Sequence, residues 1–179
     1  MSPADPLPRE QSHENVGFME KAIAEHQAAL TRYATRLLGD PDRARDVVQD
    51  AFVRLMAQPP QAVDGHVVEW LFTVCRRRAL DVIRKEDHMT RFSAGQEERL
   101  RADEPRPGRA LEAEETHEQL LRLIDRLPAN QQEVIRLKFQ SGFSYKEISR
   151  ITELSASNVG FLIHTAVQRL RREWVAQGD

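Results

Sequence analysis

The strongest structural signal in this chain lies in residues 142–172, which read GFSYKEISRITELSASNVGFLIHTAVQRLRR. Ser144 and Glu147 have the spacing of a capping box, in which hydroxyl and carboxylate satisfy backbone amides at a helix start. A short apolar pattern then breaks at residues 153–154, and Ser155 is placed to cap a second, longer helix. The stretch therefore predicts a short helix, a tight turn and a long helix.

That order is typical of a helix-turn-helix, whose second helix enters the major groove of DNA. Val159, Ile163, Ala166 and Leu170 share one apolar face of this helix, and polar residues share the other. The candidate DNA-contacting residues of the motif are Lys146, Ser157, Asn158, Phe161, Thr165, Arg169 and Arg172. An ordinary helical hairpin would show the same spacing, but an outward Phe161 suits a face that meets a base, a thymine methyl group or a protein.

Helical spacing also runs through the first half of the chain. Apolar residues from Ala44 to Met56 recur at i, i+3, i+4, i+7 and i+8, which predicts a helix that ends before Pro59-Pro60. A helical pattern from about Phe18 precedes it; Gly39 is placed to end that pattern, and Asp40-Pro41 to open the next helix. Another helix is expected from about Val67 to Lys85. The chain shows no strand-like alternation, so the predicted class is all-α.

We expect two small helical domains joined by a flexible linker, the C-terminal domain being the helix-turn-helix. Residues 1–17 are expected to be a flexible tail and residues 18–92 the first domain. Residues 93–110 hold Gly, Pro and a charged run without an apolar period, which predicts the linker, and residues 111–176 form the second domain.

The helix predicted at residues 67–85 carries a basic face. Thr73, Arg76, Arg77 and Arg84 lie opposite its apolar side, with Trp70 at the margin. Arginines bind phosphates and base edges, and an aromatic ring beside them can stack on an unpaired base, so this face suits single-stranded DNA. His66 in the preceding loop is a further candidate. A core Trp70 with solvated arginines, and a solvated His66, are the alternatives.

The charge of the chain alternates along its length, although the net charge is only −2. Residues 1–69 carry 7 basic and 11 acidic groups, and residues 70–91 carry 6 and 3. Residues 92–135 carry 6 and 10, and residues 136–179 carry 7 and 4. Because charges more than about 10 Å apart are largely screened, two basic segments can bind DNA while the acidic segments face a basic protein. A solvated, charge-mixed surface remains the alternative.

Composition argues against several classes of function. The single cysteine, Cys75, excludes an internal disulfide and a multi-cysteine metal site, and the six histidines lack ligand or triad spacing. We therefore expect no enzyme activity, no metal and no cofactor. No apolar run approaches the roughly 18 residues that span a bilayer, and residues 1–15 lack a secretory signal, so we expect no membrane insertion and a cytoplasmic location.

Four segments resemble the sigma-70 family of bacterial transcription factors. RDVVQDAFVRL (residues 45–55) resembles the polymerase-binding helix, and WLFTVCR (70–76) with the residues up to Arg84 resembles the promoter-melting helix. LPANQQEVI (127–135) and SYKEI (144–148) resemble the start of the C-terminal domain. Two domains with no middle domain identify the chain as a member of the extracytoplasmic-function (ECF) group.

The resemblance implies a transcription initiation factor that binds core RNA polymerase and directs it to specific promoters. The first domain would dock on the β′ clamp helices through Asp46, Val47, Gln49, Asp50, Phe52 and Leu55. The −10 element would be opened by His66, Trp70, Thr73, Arg76, Arg77 and Arg84. The helix-turn-helix residues would read the −35 element, and the second domain would touch the β flap. An anti-sigma factor is the expected regulatory partner.

Two departures from the family pattern stand out. Arg77 occupies a position where relatives often carry Asn. The recognition helix usually turns basic after the valine at position 159, whereas here residues 156–168 hold no Lys or Arg, which excludes bidentate guanine contacts there. We therefore expect weak duplex reading, with Phe161 and Leu162 making apolar contacts. Backbone contacts are expected from Lys146, Arg150, Arg169, Arg171 and Arg172.

Two other functions fit parts of the chain. A stand-alone helix-turn-helix regulator explains residues 111–175 but gives no task to the Asp46–Phe52 stripe or the arginine face. The second alternative is a helical scaffold or an anti-sigma-type interaction protein, which would show no salt-dependent binding to DNA.

Overall fold

The computed structural model describes residues 8–92 and 111–177, and all regular structure in these residues is helical. This confirms the all-α prediction. The chain divides into two compact units, residues 1–102 and residues 103–179. Residues 1–7 and 93–110, predicted as part of a tail and as a linker, lie outside the described residues.

The first unit contains α1 (Pro8–Leu38), α2 (Pro41–Met56), the short α3 (Pro60–Val63) and α4 (Val67–Phe92). Helices α1, α2 and α4 pack against one another around an apolar core. Leu30 of α1, Leu55 of α2 and Leu71 of α4 are fully buried there. The rings of Tyr33 and Phe72 meet with centroids 5.0 Å apart and tilted by 45°, which joins α1 to α4.

A tight reversal between α1 and α2 brings these helices together. Gly39 has a φ of +70°, which glycine adopts without steric cost, and its amide donates to the Thr35 carbonyl at 2.8 Å. The Asp40 carboxylate then accepts from the amides of Asp42 and Arg43 at 2.9 and 3.2 Å. With Pro41 in the first turn, α2 therefore starts as the sequence predicts.

Two helix boundaries differ from the expected ones. Helix α1 begins at Pro8, within the segment expected to be a flexible tail, and α4 continues past Lys85 to Phe92. Pro8 suits a first helical turn, and residues 9–16 contain neither Gly nor Pro. Apolar periodicity marks only the part of a helix that packs, so it missed the polar ends of both helices.

The second unit contains α5 (Leu111–Asp125), α6 (Ala129–Phe139), α7 (Tyr145–Thr152) and α8 (Ala156–Gln177). Helix α8 packs on the other three helices. Leu123, Val134, Ile148 and Val159, one from each helix, are almost completely buried in the core.

The helix-turn-helix has the caps that the sequence predicts. The Ser144 amide donates to Glu147 Oε2 at 2.7 Å, and the Glu147 amide donates to Ser144 Oγ at 3.3 Å. Glu153 stands in the left-handed region with a φ of +63°, which ends α7. Ser155 Oγ accepts from the Asn158 amide at 3.2 Å and caps α8. The short helix, turn and long helix are thus confirmed.

Polar side chains hold the turn between α5 and α6. The Arg136 guanidinium is buried and pairs with the carboxylate of Asp125 at the end of α5. Gln132 Nε2 donates to the carbonyls of Asp125 and Leu127 at 2.8 and 2.7 Å. These bonds occupy carbonyls that the end of α5 leaves without a helical partner, which secures the entry into the helix-turn-helix.

Candidate nucleic-acid interface

Helix α4 turns a core face inward and a basic face outward. Leu71, Cys75 and Ala79 are buried. At about 100° per residue, the opposite side of the helix carries Trp70, Thr73, Arg77 and Arg84. Arg77 and Arg84 are exposed, while Trp70 and Thr73 are half-buried. The structure therefore aligns four of the residues expected to contact the −10 element on one stripe.

The other two residues predicted for this site lie beside the stripe. Arg76 is half-buried at its edge, and His66 is exposed in the loop before α4. The His66 Nδ1 atom lies 2.9 Å from the Asp64 carbonyl oxygen, which orients the ring. The Thr73 hydroxyl donates to the Glu69 carbonyl at 2.8 Å, so it bonds within the helix rather than outward.

The residues of α2 predicted to dock on the polymerase differ in exposure. Val47, Phe52 and Leu55 are buried against α1 and α4, because the apolar stripe that identified the helix forms the domain core. They support the helix and expose less than a tenth of their surface. Asp46 and Gln49 are exposed, as a docking surface requires.

Two apolar residues of α2 that were not singled out for docking are exposed. Val53 retains 57% of its surface and Met56 69%, although Met56 was expected to continue the buried stripe. At about 100° per residue, both fall on the same side of α2 as Asp46 and Gln49. We call Asp46, Gln49, Val53 and Met56 the α2 face. Val53 was detectable in the sequence as an apolar residue that lies off the core stripe.

Asp50 has a different environment from the α2 face. Its Oδ2 atom accepts a hydrogen bond from Arg54 Nε at 2.9 Å and lies 2.7 Å from Arg78 Nε of α4. The carboxylate is about one-third exposed. Asp50 therefore joins α2 to α4 within the domain, rather than standing as an open polar contact for a partner.

Phe161 lies near the centre of the exposed face of α8 and keeps 64% of its surface. Val159, Leu162, Ile163 and Ala166 are buried on the opposite side. Leu162 therefore belongs to the core, and the expectation that it makes an apolar contact outside the domain is wrong.

The residues predicted to contact the −35 element share the outward side of the motif. Ser157, Asn158, Arg169, Arg172 and Lys146 are exposed, and Thr165 is half-buried. Arg169 Nε donates to Glu173 Oε1 at 2.8 Å. His164 and Gln168 are also exposed on α8 beside Phe161. His164 was not assigned to this face from the sequence, although its three-residue spacing from Phe161 places it there.

An apolar groove of about 740 Å³ runs between α5 and α8. Its lining includes Leu120, Val167, Leu170, Trp174 and Val175. Leu120, Trp174 and Val175 are among the exposed large apolar residues of the protein. Exposed apolar surface of this kind often marks a protein interaction site.

Within residues 8–92 and 111–177, no group of three or more His, Cys, Asp or Glu side chains is placed to hold a metal ion. None of the helices in the described part of the chain is long and apolar enough to cross a membrane.

Comparison with known families accounts for both units. Residues 22–89 match the family described as Sigma-70 region 2, and residues 117–170 match Sigma-70, region 4. The chain is 30% identical over 158 residues to the ECF RNA polymerase sigma factor SigL of Mycobacterium tuberculosis strain H37Rv, covering 86% of this chain and 87% of SigL. It is 29% identical over 143 residues to the ECF RNA polymerase sigma factor EcfG of Rhodopseudomonas palustris strain TIE-1, covering 79% and 77%.

A solved structure shows the same fold. The sigma factor RpoE, in complex with the anti-sigma factor NepR from Bartonella quintana, matches with a TM-score of 0.68 and 25% identity. The match covers 86% of this chain and 94% of that one.

This chain therefore belongs to the sigma-70 family of transcription initiation factors. Within the family, it is an ECF RNA polymerase sigma factor. It is a promoter-specificity factor for RNA polymerase and not an enzyme, because the polymerase performs the chemistry.

Proposed function

We propose that this sigma factor opens the −10 element with its first domain and reads the −35 element with its second. The observation that carries the proposal is the outward stripe of α4, where Trp70, Thr73, Arg77 and Arg84 are aligned opposite the core. We place this activity in the cytoplasm, where the polymerase transcribes the genome.

The α4 stripe has the chemistry that strand opening needs. A base that leaves the duplex loses stacking and pairing, and a half-buried Trp70 can restore part of that stacking. Arg77 and Arg84 can bind the phosphates of the strand that carries the base. Thr73 lies within the stripe, and His66 and Arg76 lie beside it. The proposed order is capture of the backbone by the arginines, followed by stacking of an unpaired base on Trp70.

The α2 face is the proposed contact with the β′ clamp helices of core polymerase. It combines an exposed carboxylate and amide with two exposed apolar side chains, Val53 and Met56. Exposed apolar residues flanked by polar groups are typical of a protein interface. Val47, Phe52 and Leu55 would act from the core by holding α2 in place, and Asp50 by tying it to α4.

The second domain would contact both DNA and protein. Lys146, Ser157, Asn158, Phe161, Thr165, Arg169 and Arg172 lie on the surface proposed for the −35 element. The α5–α8 groove is the proposed site for the β flap of the polymerase, because its exposed apolar lining needs a protein partner.

An anti-sigma factor is the proposed regulatory partner. The support is the RpoE structure, in which a sigma factor of the same fold is bound to the anti-sigma factor NepR. A partner that covers the α2 face would exclude the polymerase from it, which provides a simple route to inhibition.

The test uses holoenzyme assembled from this chain and core polymerase. Run-off transcription on genomic fragments would identify factor-dependent promoters, and permanganate reactivity of thymines would report their opening. We expect Trp70→Ala and Arg77→Ala to reduce opening about tenfold or more, in line with the loss of base stacking and phosphate contacts. Binding to core polymerase should change less than twofold.

Arg32→Ala is the matched control, because Arg32 is an exposed arginine of the same domain that lies on a different helix, α1. Wild-type opening by both stripe variants would contradict the assignment of α4. Absence of any factor-dependent start site, or failure to bind core polymerase, would contradict the proposed function as a whole and favour a stand-alone regulator or scaffold.

A further inference from the structure

The exposed face of α8 has an unusual composition for a surface that reads DNA. From Ala156 to Gln168, the first half of the helix, there is no Lys or Arg. Phe161 lies at the centre of the exposed face, and the amide side chains of Asn158 and Gln168 are exposed beside it. The cationic side chains on this side of the motif lie before or after this stretch, at Lys146 and from Arg169 onward.

This composition selects among the base pairs of the major groove. Guanine is read most often by two hydrogen bonds from Arg or Lys to O6 and N7. Adenine is read by the amide of Asn or Gln, which bonds N6 and N7, and thymine presents a methyl group that suits an apolar side chain. Within residues 156–168, the exposed face of α8 holds the groups for adenine and thymine and lacks those for guanine.

We propose that this factor reads its distal promoter element through A·T base pairs. Phe161 would pack against thymine methyl groups, Asn158 and Gln168 would bond adenine, and no guanine would be read by the first half of α8. The inference rests on the proposed function, since it requires the second domain to meet duplex DNA.

The neighbouring side chains support this assignment. The Thr165 hydroxyl donates to the Phe161 carbonyl and lies 3.4 Å from the Leu162 carbonyl, so its proton is used within the helix. The two ring nitrogens of His164 point in different directions, so its imidazole cannot form the bidentate pair that guanine accepts. Phosphate contacts are left to exposed cations such as Lys146 and Arg172, which place the helix without selecting a base.

The first test is a selection with holoenzyme. A promoter library would keep one proximal element constant and randomise the distal element, and templates that give transcripts would be sequenced. We expect enrichment of runs of A and T, with guanine at or below its input frequency at the positions that face α8. Phe161→Arg supplies the missing guanidinium and should shift the selection toward guanine.

The second test isolates the thymine methyl group. Replacing thymine by uracil at an enriched position removes only the C5 methyl, and we expect holoenzyme affinity to fall about fourfold per contacted methyl. Phe161→Ala should abolish this difference between thymine and uracil. Phe139→Ala is the matched control, because Phe139 is an exposed phenylalanine of the same domain, on α6, and its removal should leave the difference intact.

The possible outcomes distinguish a failure of the A·T assignment from a failure of the proposed function. Guanine enrichment by the wild-type factor, or equal affinity for thymine and uracil, would overturn the A·T assignment while leaving duplex reading in place. Transcription without any enrichment in the distal element would overturn both the inference and the proposed role of the second domain in reading the −35 element.

Discussion

Arg78 of α4 lies with its Nε 2.7 Å from Oδ2 of Asp50 on α2, and this ion pair joins the two helices that carry the proposed polymerase and DNA surfaces. The same carboxylate oxygen accepts a hydrogen bond from Arg54 at 2.9 Å. Both partners of the interhelical pair are about one-third exposed. The pair therefore helps to set the position of the α2 face relative to the α4 stripe.

Removing this pair should weaken the first domain. We expect Asp50→Asn and Arg78→Met each to lower the free energy of unfolding of this domain by about 1 kcal/mol, because a partly exposed pair lies at the upper end of the range for surface ion pairs. The double mutant should show a coupling energy of similar size. The measurement is urea unfolding followed by Trp70 fluorescence in a Trp174→Phe background, because the chain has two tryptophans, one in each domain.

Arg54 offers the matched comparison within one helix. Its pair with Asp50 has i, i+4 spacing on α2, so its coupling energy should be about 0.3–0.5 kcal/mol. A coupling between Asp50 and Arg78 no larger than that between Asp50 and Arg54 would show that the interhelical pair has no special part in holding the domain together.

The capping box of α7 should make the stability of the second domain depend on pH. Hydrogen bonds with Ser144, first through its side chain and then through its backbone amide, hold the pKa of Glu147 below its ordinary value of 4.5. Because the folded pKa lies below the unfolded one, the stabilisation is present above pH 4.5 and is lost as the pH falls through the folded value. Glu147→Gln should remove this contribution and its pH dependence.

Urea unfolding of the Trp70→Phe variant, followed by Trp174 fluorescence, measures this effect. The difference in unfolding free energy between wild type and Glu147→Gln should shrink as the pH falls from neutral to below 4.5. Ser144→Ala should cost about 1 kcal/mol at neutral pH, as the loss of a helix cap does. If the unfolding free energies of wild type and Glu147→Gln differed by the same amount across this pH range, the carboxylate would have no role in the cap.

The sequence predicted those features that depend on local chemistry. Gly39 with Asp40 marked the reversal between α1 and α2, and Ser144 with Glu147 marked the start of α7, because caps and turns are built from neighbouring residues. The outward positions of Arg77 and Phe161 also followed from helical spacing alone.

The remaining features required the packed structure. Phe52 and Leu55 lie in the motif that resembles a polymerase-binding helix, but the sequence does not distinguish a residue that binds a partner from one that supports the binding surface. The pairing of Asp50 with Arg78 joins residues of two helices, and no local pattern reports such a contact. Met56 continued the apolar spacing of α2 and yet is exposed, because it falls on the side of the helix that carries Asp46 and Gln49.

Cys75 should be unreactive while the first domain is folded. It is fully buried in α4, and burial raises the pKa of its thiol to about 12, so almost no thiolate is present at neutral pH. A thiol reagent such as DTNB should label the native protein only as fast as the domain unfolds, and stoichiometrically in urea. Ser157→Cys, which places a thiol at an exposed position on α8, provides the fast-reacting comparison. Rapid native labelling at Cys75 would contradict the packing of α4 against α1 and α2.

The turn of the helix-turn-helix holds a residue in an unfavourable conformation. Glu153 has φ and ψ of 63° and 17°, the left-handed region that costs a residue with a Cβ about 1–2 kcal/mol. Glycine avoids this cost but loses more backbone entropy on folding, by about 0.5–1 kcal/mol. The first effect is the larger, so Glu153→Gly should stabilise the second domain by about 0.5–1 kcal/mol, as measured through Trp174 fluorescence in the Trp70→Phe background.

Glu153→Ala separates the backbone effect from the loss of the carboxylate. Alanine keeps the Cβ, and therefore the conformational cost, while it removes the carboxylate. We expect Glu153→Ala to be no more stable than wild type and Glu153→Asn to fall between Ala and Gly, because asparagine tolerates the left-handed region. If Glu153→Ala stabilised the second domain as much as Glu153→Gly, the increase in unfolding free energy would come from removing the carboxylate, and the turn would carry no strain.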